Sequence, residues 1–214
     1  MSKGLVASRR RAPAWPKDAL RIGFGIIWLI DAVLKWLPGF RSGYMDTIMG
    51  IRDGQPQGLR WWFDFWISLQ HPRAMFFAYL VAVVETLIAV ALIIGFARKL
   101  TYVSAIVFSL LIWSTAEGFG GPYTSGSSDI GTAIIYAVVF AGLLILSYYA
   151  GPARYSADYY LEKKISWWWR LAEVRRPEAI AAVAPAPLAT VQAAVIPQPA
   201  AAADDLPAEQ PHTV

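Results

Sequence analysis

The sequence predicts an all-α membrane protein built on a four-helix transmembrane bundle. Of its 214 residues, 57% are hydrophobic and only 16% are charged, whereas soluble domains carry about 25% charged residues. Four segments approach the roughly 20 apolar residues that a spanning helix needs: Leu20–Leu37, Ala74–Ala97, Leu100–Ala116 and Ile130–Ala150. We therefore assign residues 20–150 to a four-span membrane domain.

Local signals set the ends of these spans. Pro38-Gly39 ends the first span, because this pair disfavours a continuing helix. Arg98-Lys99 separates the second span from the third. Helices joined by so short a turn are expected to be antiparallel neighbours.

The distribution of basic residues predicts the orientation. Lys and Arg cluster in the N-terminal segment 1–19, in the Arg98-Lys99 turn and in segment 151–176, while the loop Glu117–Asp129 has none. The positive-inside rule therefore places both termini in the cytoplasm, in a multi-pass protein of the cell inner (plasma) membrane. The arginines of the connection Arg41–Arg73, which is predicted to face outward, oppose this assignment mildly.

Two aromatic segments flank the predicted bundle. Leu59–Leu69 is too short to span and rich in Trp, including Trp62 and Trp66. It is interpreted either as a short helix or aromatic belt in the outer interface, or as a lid over a cavity for a flat hydrophobic ligand. Leu161–Arg176 mixes basic residues with three Trp, which is typical of an amphipathic helix on the inner surface. Residues 177–214 are Ala- and Pro-rich and are expected to form a disordered tail.

Ionisable residues inside the spans are the candidate functional groups. Glu85 is the only charge between Ala74 and Ala97, and a carboxylate at membrane depth costs about 2.5–3.5 kcal/mol on insertion scales. Asp31 and Lys35 lie four residues apart and share a helix face. Arg21 lies near the same face. Glu85 falls on a face of small residues, along which transmembrane helices approach closely.

These charges have two interpretations. An Asp31–Lys35 ion pair and a Glu85 bond to Lys35 or Arg21 would fix helix packing. Alternatively, Glu85, Asp31 and Lys35 are catalytic groups that handle protons, and Arg21 binds a substrate or quinone. The loop Glu117–Asp129 has the same ambiguity: Glu117 and Asp129 either face each other across a binding site, or Asp129 is only the N-cap of the fourth span.

Composition limits the chemistry. The chain has no Cys, which removes thiolate metal sites and iron–sulfur ligation. Its two histidines, His71 and His212, lie outside the spans, so neither a haem nor an intramembrane metal site is expected. The net charge of +4 belongs to membrane flanks and does not indicate nucleic acid. These limits do not exclude a redox function, since a quinone or a cofactor of a partner protein could carry the electrons.

The chain resembles the DoxX/DoxD family of small four-helix membrane proteins. The residues of this resemblance are Arg21, Gly23, Gly25 and Lys35 in the first span, Glu85, Gly95 and Arg98 at and after the second, and a loop with Glu117, Gly118, Gly120, Gly121, Gly126 and Asp129. The loop is similar to that of the DoxD-type subunit of thiosulfate:quinone oxidoreductase. Ala32 and Ala89 replace expected glycines, and Asp31 is an added acid.

The resemblance implies a membrane redox subunit that assists electron transfer from a thiosulfate-like sulfur compound, or from a partner enzyme, to quinone. A protein partner subunit and a homo-oligomer are both compatible with this role. The alternative is a non-catalytic membrane scaffold that recruits soluble redox or stress-response enzymes. A transporter is disfavoured, because the spans show no obvious inverted repeat or broken helix.

Overall fold

The computed structural model describes residues 15–121, 129–150 and 155–175, and within these ranges it contains helices and no strand. The eight α-helices are α1 (Trp15–Lys35), α2 (Pro38–Asp53), α3 (Arg60–Gln70), α4 (Ala74–Ile94), α5 (Arg98–Ser114), α6 (Thr132–Ala150), α7 (Ala157–Lys164) and α8 (Trp169–Ala172). Short 3₁₀ turns cover Gln57–Leu59, His71–Arg73 and Gly118–Gly120. The all-α class predicted from the sequence is confirmed for these residues.

Four long helices form two tight pairs. α1 packs along α4, and α5 packs along α6. Small side chains permit the first contact, since Ala78, Ala82 and Ala89 of α4 are fully buried. Where the pairs meet, α1, α4, α5 and α6 share one apolar core: Phe24, Trp28, Ile88, Ala89, Leu92, Tyr102, Ala105, Phe140 and Leu143.

Two helical stretches are long and apolar enough to cross a membrane. One is Gln57–Ile94, 38 residues that include α3 and α4, and the other is Thr132–Tyr149 in α6. The predicted spans in α1 and α5 remain predictions, as do the orientation and the four-span count. Both helices nonetheless expose large apolar side chains, such as Ile30 (60%) and Val107 (54%), which lipid would cover favourably.

The connection between the first two predicted spans is largely helical, and α2 within it is not predicted by the sequence pattern. Pro38 stands in the first turn of α2, where a missing N–H is tolerated. Met45 and Ile48 are buried, and α2 packs on α3 and α4. Leu59–Leu69 is helical, in α3 and the 3₁₀ turn before it, and its predicted position in the outer interface remains a prediction.

The turn between α4 and α5 consists of residues 95–97, and Arg98 and Lys99 lie in the first turn of α5 where the sequence predicted them to form the link. α4 ends at Ile94, and Gly95 closes it in the left-handed region (φ 68°). A Cβ at Gly95 would lie 2.5 Å from Ser156 Cβ and 3.0 Å from an Arg21 nitrogen, so glycine is required there. Ala97 also has a positive φ (44°), and Arg98 begins α5.

The C-terminal segment docks on this turn. The predicted amphipathic helix is instead two short helices, α7 and α8, and Ser156 caps α7 by accepting from Tyr159 N. α8 packs on α5. The predictions for residues 1–14, for part of the glycine loop (122–128) and for the tail 177–214 fall outside the described residues.

Candidate functional site

A cavity of about 630 Å³ lies at the end of the bundle that carries Glu117, between α1, α2, α3, α4, α5 and α6. This volume is within the usual range of roughly 300–1,000 Å³ for small-molecule sites. The cavity brings together five of the eight candidate residues: Asp31, Lys35, Trp66, Glu85 and Glu117.

Lys35 joins the two acidic groups of the cavity wall. Its ammonium nitrogen lies 3.0 and 3.1 Å from the two carboxylate oxygens of Asp31, one helical turn earlier on α1. The same nitrogen lies 3.7 Å from Glu85 Oε2 on α4. The close α1–α4 contact therefore turns three separate sequence positions into one acid–base–acid cluster.

Glu85 is the most buried member of this cluster. Its side chain is 1% exposed, against 21% for Lys35 and 36% for Asp31. Glu85 Oε2 has an ion-pair distance to Lys35 but no hydrogen bond among the described residues. A buried carboxyl with an unused acceptor and a nearby cation is suited to exchange a proton or to orient a ligand.

Aromatic and apolar side chains form the rest of the wall. Phe40 and Tyr44 come from α2, Phe77 from α4, Phe108 from α5 and Tyr136 from α6. This lining matches a flat apolar ligand with a few polar atoms.

Tyr44 is one polar group of the wall that is already engaged. Its hydroxyl donates to Gln70 Oε1 at 2.6 Å. Burial raises the pKa of Tyr44 to about 12, so the phenol stays protonated at neutral pH.

Arg21 does not reach the cavity. It is 1% exposed and donates to the carbonyls of Leu92, Ile93 and Tyr155, with Asp18 as its ion-pair partner at 3.7 Å. These bonds satisfy the C-terminal carbonyls of α4 and fasten the C-terminal segment to the bundle. The structure thus gives Arg21 a packing contact in place of the predicted ligand contact.

Trp62 and Asp129 also lie outside the cavity lining. Trp62 donates its indole N–H to Ser114 O at 2.9 Å, which ties α3 to the end of α5. Asp129 accepts from Gly131 N at 2.7 Å and forms a local turn.

Glu117, and not Asp129, caps the helix that follows. Both of its carboxylate oxygens lie close to Ala133 N, at 3.2 and 3.0 Å, near the start of α6. Glu117 therefore combines a structural contact with a place in the cavity wall. The expected N-cap role of Asp129 is not observed.

A second buried ionic cluster, at the Arg98 end of the bundle, was missed from the sequence. Arg98, Asp158 and Glu173 are at most 2% exposed. Arg98 Nε donates to Asp158 Oδ2 at 2.9 Å, and Arg98 also bonds Glu173. The sequence signal was the presence of acidic residues within a segment otherwise rich in Lys and Arg.

Together, these observations define a helical membrane protein with an acid–base–acid cluster at a ligand-sized aromatic cavity. The DoxX family model matches residues 17–118, from the first turn of α1 to the end of the α5 region. Through this segment the chain is similar to the DoxX family, which confirms the resemblance found in the sequence. α6, α7 and α8 lie beyond the matched residues. The comparisons with curated proteins and with solved structures gave no match.

Proposed function

We propose that this chain is a membrane redox subunit whose cavity binds a quinone and helps it to accept electrons. The electrons come from a thiosulfate-like compound, as in a DoxD-type subunit, or from a partner enzyme. The observation that carries this proposal is Lys35, held between Asp31 and Glu85 at the wall of an apolar aromatic cavity. The match to the DoxX family supports a membrane setting for this chemistry.

The chemistry assigns one role to each charged group. A 1,4-quinone becomes a quinol by taking up two electrons and two protons. The Lys35 ammonium stabilises the negative charge that develops on a carbonyl oxygen, because attraction is strong in a poorly solvated site. The two protons come from water: Glu85 and Asp31 each take up one proton and pass it to the quinone, and Asp31, the more exposed carboxyl, exchanges protons with water more readily.

Arg21 has no part in this scheme. It precedes Lys35 by fourteen positions, which is about 21 Å along a helix. Lys35 is therefore the cation that faces the reduced quinone.

Quinone reduction in proteoliposomes tests the proposal. Thiosulfate or sulfite serves as the donor, and the native chain is compared with Glu85→Gln. We expect a fall in rate of about 100-fold, typical for loss of a positioned acid. Asp64→Asn, at an exposed ion pair with Arg52, is the matched control and should react as the native chain does. Equal rates for the native chain and Glu85→Gln would remove Glu85 from the mechanism.

The proposed setting is the plasma membrane, with four spans and both termini in the cytoplasm. Since the chain has no Cys, single cysteines report the sidedness directly. A membrane-impermeant maleimide should label Asp64→Cys in intact cells and Ser166→Cys only after lysis. The opposite pattern would reverse the orientation.

A non-catalytic scaffold is the second candidate, and the C-terminal segment favours it. The Arg98 cluster holds α7 and α8 against the bundle, while Lys163, Lys164 and Arg170 remain exposed. This arrangement could present a fixed basic surface to soluble redox or stress-response enzymes, or to a second copy of the chain. Affinity purification after gentle solubilisation distinguishes the two functions: a stoichiometric protein partner without bound quinone supports the scaffold.

A further inference from the structure

Two tryptophans of the cavity wall have indole N–H groups without an acceptor. Trp28 of α1 and Trp66 of α3 line the cavity. Neither Nε1 atom has a hydrogen-bond partner within the described ranges, and both atoms are buried. Buried donors in native proteins are nearly always paired, so each of these two groups requires an explanation, such as a bound ligand.

Other tryptophans show that an unpaired indole is not general in this chain. Four of them donate to an acceptor at 2.8–3.0 Å, and none of the four lines the cavity: Trp36 to Thr86, Trp62 to Ser114, Trp113 to Ile130 and Trp168 to Asp158. The unmet donors therefore coincide with the cavity.

Both rings pack against aromatic neighbours. The Trp28 ring, 2% exposed, lies 5.0 Å from Tyr136 and 5.1 Å from Phe140 between centroids. The Trp66 ring lies 5.7 Å from Trp62 and 5.4 Å from Phe65. Such contacts pack the surface of each ring and provide no acceptor for its N–H.

The two donors lie on different helices of the cavity wall. Trp28 precedes Lys35 by seven residues, and two helical turns place both on one face of α1. Trp66 lies on α3, one turn after Trp62, whose bond to Ser114 holds α3 at the Glu117 end.

We propose that Trp28 and Trp66 are the hydrogen-bond donors for a flat ligand that carries an acceptor oxygen on each of two opposite edges, as a 1,4-dicarbonyl ring does. This inference rests on the proposed quinone function and specifies how the headgroup is held. Trp28 binds the oxygen on the Lys35 side, and Trp66 binds the oxygen towards the Glu117 end. Because both nitrogens are covered in this structure, each ring tilts towards the cavity when the ligand binds.

Two ligands separate a two-oxygen site from general apolar binding. 1,4-Naphthoquinone has both oxygens, and 1-tetralone has one. Their binding to the purified full chain in detergent is measured by titration calorimetry for the native protein, Trp28→Phe and Trp66→Phe. Trp168→Phe, which removes an indole N–H at the Arg98 end, is the control.

Each cavity variant should weaken naphthoquinone binding by about 2- to 12-fold, the loss of one net hydrogen bond. The control should bind naphthoquinone as the native chain does. 1-Tetralone should bind more weakly than naphthoquinone, and only one of the two variants should affect it.

Infrared spectra provide a readout that altered folding does not mimic. In the native complex both carbonyl stretching bands of naphthoquinone should shift to lower wavenumber, and in each variant one band should return towards its unbound position. Naphthoquinone binding with unshifted bands and equal affinities would overturn the tryptophan assignment and leave the quinone function standing. Absence of binding to the native chain would overturn both.

Discussion

Asp158 is the group on which the docking of the C-terminal segment depends most. Its carboxylate is fully buried and accepts four hydrogen bonds, from Ala97 N (2.7 Å), Arg98 N (2.9 Å), Arg98 Nε (2.9 Å) and Trp168 Nε1 (2.8 Å). Asp158→Ala leaves these donors, including one buried cation, without their acceptor. Breaking a buried ion pair in this way costs about 3–5 kcal/mol.

This loss should appear first as undocking of α7 and α8 from the α4–α5 turn. At 1.4 kcal/mol per factor of ten, even the lower value of about 3 kcal/mol raises the undocked population about 150-fold. When docking is fast relative to cleavage, proteolysis follows that population. Lys-C digestion in detergent reports it through cleavage after Lys163 and Lys164 in α7.

Asp64→Ala is the control for this experiment. The Asp64–Arg52 pair is exposed, and exposed pairs contribute about 0–1 kcal/mol. The cleavage rate of Asp64→Ala should match that of the native chain. The cleavage rate of Asp158→Asn, which keeps one carbonyl acceptor, should lie between the rates of the native chain and of Asp158→Ala. The reasoning is refuted if Asp158→Ala is cut no more than twice as fast as Asp64→Ala.

Two further predictions concern pH and backbone conformation. Burial, with a smaller contribution from Glu173, raises the pKa of Glu162 from 4.5 to about 7, so the folded state holds this proton more tightly and stability falls as pH rises from about 4.5 to 7. Glu162→Gln should therefore melt at a higher temperature than the native chain at pH 8 and at the same temperature at pH 4.5; an equal difference at both values would contradict this. Gly131 has φ +94°, and a Cβ there would lie 2.5 Å from Glu117 Oε2. Gly131→Ala should therefore lower the free energy of unfolding, measured by chemical denaturation, by about 1–3 kcal/mol. Gly50→Ala, in a helix with open space around the new Cβ, should not be destabilised, and equal loss in both would argue against backbone strain.

The helical class and the positions of the long helices followed from apolar runs and their breakers. Pro38, for example, ended the first span at the point where α1 gives way to α2. α2 itself was missed because its apolar residues are few and its mean composition is polar. Its buried side chains, Met45 and Ile48, gain their partners from α3 and α4, which no local pattern reveals.

The candidate site was predictable where the signal was a charge in an apolar run. Glu85, Asp31 and Lys35 were singled out on that basis, and the structure brings them together. Arg21 gave the same signal, yet its contacts are with helix-terminal carbonyls. The energetic cost of a buried charge shows that a partner is required, but it does not say which partner.

The amino-acid sequence by itself determined that this chain places helices in a membrane and keeps several ionisable groups among them, because hydrophobic length and charge position are local properties. The tertiary structure decided which of those groups share a cavity. It left the indole N–H groups of Trp28 and Trp66 without an acceptor in the described part of the chain. It also decided that Glu117 caps α6 and that Arg98 anchors the C-terminal segment. Each of these contacts joins residues far apart in the chain, and such contacts depend on how the helices pack against one another.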